Sequence, residues 1–113
     1  MEQRRNFFRM PVVLPASVIR VESGESHQTT TLDLSVGGVR LLGGAELGAG
    51  DSVRVTISLI DHGDLEVSGW VVRRDLGGEW CAISFDPMEM TTEKMLARFL
   101  ADQQRQLLAK DAR

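Results

Sequence analysis

Tyrosine is missing from this chain, aromatic residues make up only 5% of it, and Cys81 is its single cysteine. One thiol cannot close an internal disulfide or assemble a cysteine-based zinc site, which fits a reducing compartment. Within the apolar run "WCAISF" it reads as a small core residue. No stretch approaches the roughly 18 consecutive apolar residues of a membrane span. The start, Met1-Glu2-Gln3-Arg4, has no apolar run resembling a secretory signal. These absences predict a cytoplasmic protein that does not insert into a membrane. Catalytic signatures are lacking too: there is no HExxH, no G-x-S-x-G elbow and no Walker-type GK[ST] loop. The two histidines, His27 and His62, fall in predicted turns, and Asp61 and Asp64 flank a glycine where turn geometry alone calls for acids. The expectation is a protein that is not an enzyme and has no catalytic residues, no metal site and no cofactor.

What the chain does have is enough apolar material for one core, 42% of 113 residues, and hence one domain. Its net charge is −3, which gives no broad attraction to nucleic acid or to an anionic membrane. The positive charge is unevenly placed. Arg4, Arg5 and Arg9 against Glu2 leave the first nine side chains at +2, so the remainder carries −5. Lysine occurs only at Lys94 and Lys110, so arginine supplies 11 of the 13 basic residues. Base composition of the coding sequence can produce such a bias. The planar guanidinium fork also binds phosphate bidentately, stacks on flat rings and matches the O6 and N7 acceptors of guanine.

Hydrophobic patterning predicts six short strands with no helix between them. The segment Val12 to Val21, broken by Pro15, reads as an edge strand, because proline cannot donate to a central ladder. "TTTLDL" and "GVRLL" follow, and then "SVRVTISLI", where Val53, Val55, Ile57 and Leu59 alternate with polar neighbours. "LEVSGWVVRR" and Trp80 to Phe85 complete the set, which argues for an antiparallel barrel. Asp86-Pro87-Met88-Glu89 carries an N-cap acid, a proline at the first helical position and a glutamate in capping-box position, with Thr91 or Thr92 as a second cap. A helix over 87–109 follows, with Met95, Leu96, Phe99, Leu100 and Leu107 recurring at helical spacing to cover a barrel opening or sheet face. The division expected is a flexible, arginine-rich segment at 1–11, a barrel at 12–86 and this terminal helix.

Two clusters carry the binding chemistry. One is Arg5-x-x-x-Arg9 preceded by Arg4; the other is Asp33-Leu34-Ser35-Val36-Gly37-Gly38, a D-x-S-x-x-G run. Alone, arginines near a terminus are commonly solvated, and Asp/Ser/Gly runs commonly build turns. In this order, ahead of "GWVVR", "AISFD" and a terminal helix, they resemble the RxxxR and [D/N]xSxxG motifs of the PilZ family.

The resemblance implies a six-stranded, antiparallel, split β-barrel that binds the bacterial second messenger cyclic di-GMP. It implies a ligand site made of Arg4, Arg5, Arg9, Asp33, Ser35, Gly37 and Gly38. By analogy, Arg5 and Arg9 contact phosphates and the guanine O6/N7 edge, and Asp33 accepts from guanine N1 and N2. Ser35 adds a hydroxyl, and Gly38 allows a tight turn and close ligand approach. Arg4 implies an intercalated ligand pair, and residues 1–11 order or swing on binding, with Phe7 and Phe8 packing on the barrel or a partner. The partners implied are the ligand and an effector protein, the chain itself being a monomer or weak homodimer. A ligand-independent protein-interaction module and a single-stranded nucleic-acid binder are the alternatives. The intact motifs weigh against the first, and scarce aromatics with negative net charge weigh against the second.

Overall fold

The alternating pattern around residue 55 organises the molecule. The computed structural model describes residues 9–44 and 46–111, so the readings placed on Arg4, Arg5, Phe7 and Phe8 lie outside the described residues. Strand β5 (Ser52–Leu59) buries Val53, Val55, Ile57 and Leu59 completely and turns Arg54 outward, as a two-residue period requires. It pairs on one side with β2 (Pro15–Arg20) and on the other with β6 (Gly63–Arg74). From β6 the ladder continues through β7 (Trp80–Phe85) to β4 (Gly38–Leu42), then to β3 (Ser26–Ser35), which pairs back to β2. These six antiparallel strands therefore form a closed ring, the barrel expected from the strand pattern. A two-residue strand, β1 (Met10–Pro11), adds to β3 beyond the end of β2, matching Met10 with Leu34 and Pro11 with Asp33.

Several boundaries differ from expectation. The second strand is paired on both sides, because Pro15 occupies its first position and the β5 ladder begins only at Ala16. Met10 and Pro11 belong to the ordered sheet. Buried Thr31 fastens the link between β1 and β2: its hydroxyl donates to the Val12 carbonyl and accepts from the Leu14 amide. At the other end, Asp86 does not cap a helix, because the helix begins only at Met90; its amide donates to the Ser68 carbonyl at 2.8 Å and extends the β7–β6 pairing. Helix α1 (Met90–Asp111) starts with the Glu93 amide donating to the Glu89 carbonyl at 2.9 Å, which makes Glu89 the N-cap and leaves Thr91 and Thr92 inside the first turn. Pro87 and Met88 belong to neither strand nor helix.

The helix buries Leu96, Phe99 and Leu100, an i, i+3, i+4 stripe, against the barrel; Leu107 stays 44% exposed. His62, in the turn between β5 and β6, sits edge-on to Phe99 and contacts Asp102 at 2.9 Å, which ties that turn to the helix.

Two irregularities redirect side chains on the outer face of the barrel. Between Thr31 and Asp33, β3 advances two residues while β4 advances one, and between Val71 and Arg73, β6 does the same against β7. Each is a β-bulge, and each inverts the inward-outward alternation beyond it. Thr31 and Val71 face the core; by strict alternation Asp33 and Arg73 would follow them inward. The extra residues, Leu32 and Val72, place Asp33 opposite Arg40 and Arg73 opposite Ala82 on the outer surface.

Candidate ligand-binding groove

The outer face of the contiguous strands β3, β4, β7 and β6 forms a groove of about 630 Å³, within the usual range for small-molecule sites. Its floor is made of small residues. Gly38 and Trp70 both lie opposite Ser84, and Arg40 and Arg73 both lie opposite Ala82, so serine and alanine on β7 separate two walls of larger side chains. Arg9, Ser35 and Arg40 line one wall; Trp70 and Arg73 line the other.

β1 sets the position of Arg9. Because Pro11 faces Asp33 across the ladder, Arg9 emerges beside the end of β3, and its Nη2 donates to Asp33 Oδ1 at 2.8 Å. Arg40 donates to the other carboxylate oxygen through Nε at 3.0 Å and Nη2 at 2.8 Å. The Asp33 side chain is only 10% exposed, against 53% for Arg9 and 37% for Arg40. A carboxylate this far from water needs charged partners, and three charge-assisted hydrogen bonds supply them. Both arginines line the groove.

Ser35 and the two glycines shape the turn between β3 and β4. The Ser35 hydroxyl accepts from the Gly37 amide at 3.2 Å and donates to the Gly38 carbonyl at 3.4 Å, and the residue is buried. Gly38 is required by its neighbour strand: a Cβ there would lie 2.3 Å from the Ile83 carbonyl oxygen. Its φ is not positive, so close strand contact, rather than an unusual turn conformation, excludes a side chain. The Gly37 carbonyl accepts from the Phe85 amide at 2.9 Å and locks the turn to β7.

The structure thus places Arg9, Ser35, Gly37 and Gly38 in the lining of one groove, with Asp33 set behind the lining and bonded to Arg9 and Arg40. It also adds residues that the motifs do not name. The Arg40 guanidinium lies 5.0 Å, and that of Arg73 5.7 Å, from the centre of the Trp80 ring. Trp70 stands at the rim, 42% exposed. Alternation from Val39 and Val67 would have marked Arg40 and Trp70 as outward. Nothing in the alternation marks Arg73, because the bulge that exposes it breaks the period. Among the described residues, no cluster of three or more His, Cys, Asp or Glu could hold a metal ion, and no helix is long and apolar enough to cross a membrane.

Comparison with known proteins gives a consistent picture. The family model described as "PilZ domain" matches residues 3–102. A search of curated proteins returned no match. Among solved structures, the PilZ domain of YcgR from Escherichia coli with c-di-GMP superposes with a TM-score of 0.75 at 19% identity, covering 98% of this chain and 99% of that one. The Bacillus subtilis inhibitor of motility MotI/DgrA gives 0.72 at 22% identity, with 91% of this chain and 53% of that one covered. The K. pneumonia MrkH–c-di-GMP complex gives 0.75 at 19% identity, over 98% and 56%. The chain therefore spans about half the length of MotI/DgrA and MrkH, and the whole of the YcgR domain.

Proposed function

The chain belongs to the PilZ domain family, and from that membership and the geometry of the groove we propose that it is a cytoplasmic receptor for cyclic di-GMP. The observation that carries this reading is the contact between Arg9 and Asp33, 24 residues apart in sequence, at the head of a groove of suitable size. The ligand is a dianion with two guanines. Arg9, with Arg5, supplies forks for a phosphate and the O6/N7 edge. Asp33 supplies an acceptor for the N1 and N2 donors that distinguish guanine from adenine. Trp70 offers a ring face to a base, the Ser35 hydroxyl and the Gly37-Gly38 backbone border the same space, and small Ala82 and Ser84 leave depth beneath it.

Binding on this reading is an exchange. Free, Asp33 accepts three hydrogen bonds from Arg9 and Arg40; bound, the guanine edge takes the place of Arg9 and the phosphate receives the released guanidinium. β1 holds Met10 and Pro11 in register, so the change propagates into the residues that precede Met10, and an effector protein reads it there. Arg4 adds a third fork, and two ligands bind per chain. Titration calorimetry tests all of this: cyclic di-GMP binds with a stoichiometry near two, GTP and cyclic di-AMP bind far more weakly, and Arg9→Ala abolishes or greatly weakens the heat. A stoichiometry near one contradicts the ligand pair, and absence of binding contradicts the receptor reading. An Arg4→Ala chain shifts toward one ligand.

A further inference from the structure

The far wall of the groove holds a charged group that the motif residues do not account for. Arg73 is exposed, and no carboxylate lies within ion-pairing distance of it among the described residues. Its guanidinium instead lies over the Trp80 ring. A ring orients a guanidinium without neutralising it, and leaves the in-plane N–H edge free to donate. Arg73 lines the groove, is turned outward only by the Val71/Arg73 bulge, and lies on the fourth strand counted from Asp33. At about 4.8 Å per strand, the two ends are roughly 14 Å apart along the sheet.

Charge makes the same point. The charged residues lining the groove are Arg9, Arg40 and Arg73, and Asp33 offsets one of them. The described part of the site is thus left near +2, which matches a ligand carrying two phosphodiesters. If Asp33 and Arg9 take one guanine and one phosphate, the second phosphate falls toward the opposite wall.

We propose that Arg73 is a binding residue of this groove: it holds the phosphodiester remote from Asp33, and Trp80 acts as the positioning residue that aims it. This rests on the receptor reading. The bulge makes β6 a ligand-reading strand, with Trp70 and Arg73 presented together. The requirement for two separated phosphates then favours a cyclic dinucleotide over a mononucleotide.

The test is calorimetry of the full chain with cyclic di-GMP for the unaltered protein, Arg73→Gln, Arg73→Lys, Trp80→Leu and Trp80→Phe, with melting temperatures measured alongside. Arg73→Gln should weaken binding about tenfold, the scale of one charge-assisted contact, with its melting temperature unchanged. Arg73→Lys should fall between, because it keeps the charge and loses the fork. Trp80→Leu should weaken binding and Trp80→Phe should restore most of it; because the Arg40 guanidinium shares this ring, the loss should shrink when Trp80→Leu is made in an Arg73→Gln background, which a tryptophan acting only through Arg40 does not predict. Binding by Arg73→Gln equal to that of the unaltered chain, while Asp33→Ala loses it, overturns this proposal and leaves the receptor reading intact. No binding by the unaltered chain overturns both.

Discussion

Replacing Asp33 by asparagine sets two physical effects of opposite sign against each other. The side chain is 10% exposed and accepts three hydrogen bonds from two arginines that are themselves 53% and 37% exposed. Because the arginines can rehydrate, the loss is well below that of an enclosed ion pair, and two such contacts amount to about 1–2 kcal/mol. For a domain of this size that lowers the melting temperature by roughly 4–10 °C.

Ligand affinity is the sharper readout. If Asp33 only staples Arg9 and Arg40 in place, removing its charge reduces repulsion of an incoming dianion. At roughly 8 Å in water that gain is about 1 kcal/mol, or fivefold tighter binding. If Asp33 reads guanine N1 and N2, losing a charged acceptor costs about 1–3 kcal/mol, between roughly fivefold and 150-fold weaker binding. Calorimetry of Asp33→Asn with cyclic di-GMP and cyclic di-AMP decides between them. Weaker binding with reduced guanine preference is expected. Unchanged or tighter binding refutes the role given to this carboxylate.

Packing sets further outcomes. Phe99 is fully buried, so Phe99→Ala should destabilise the fold by about 3–5 kcal/mol by denaturant titration. Gly38→Ala forces a Cβ to within 2.3 Å of a backbone carbonyl and should cost about 1–3 kcal/mol, read from the same titration. Burial pushes the Cys81 thiol above its ordinary value of 9.0, against the opposing pull of the Arg74 guanidinium and a backbone hydrogen bond at Leu41. A raised thiol pKa in the folded state means that this contribution to stability is intact below pH 9.0 and declines as pH rises past it, where the unfolded thiol ionises first. Iodoacetamide should therefore modify Cys81 only on unfolding, as mass spectrometry across a denaturant series would show.

The barrel was legible because most strands obey a simple period. Val53, Val55, Ile57 and Leu59 announce their face, and Trp80 to Phe85 alternates without interruption. Where local signals failed, tertiary contacts had overridden them. Asp86-Pro87 has the chemistry of a helix start, but the Asp86 amide is taken by Ser68 and Met88 packs against the core, so the helix begins later. Pro15 signals an edge only if the strand extends upstream of it, and here it does not.

In the groove, the spacing of Arg9 and Asp33 could be matched to a motif. The outward placement of Asp33 itself could not be deduced, because it depends on one extra residue in β3, and Arg73 depends on another in β6. A bulge has no composition signature in a run as uniformly β-forming as "SGWVVRR"; it shows only in the pairing with β7, which continues on both sides of the extra residue.

Ring closure limits how such a molecule can communicate. With every barrel strand flanked on both sides, no long row of unpaired amides and carbonyls is left among the described residues for another chain to extend, the route by which many signalling modules capture extended peptides. On the receptor reading proposed above, contact with a neighbour then passes through side chains and irregular segments, where an arriving anion redraws the surface without disturbing the scaffold beneath.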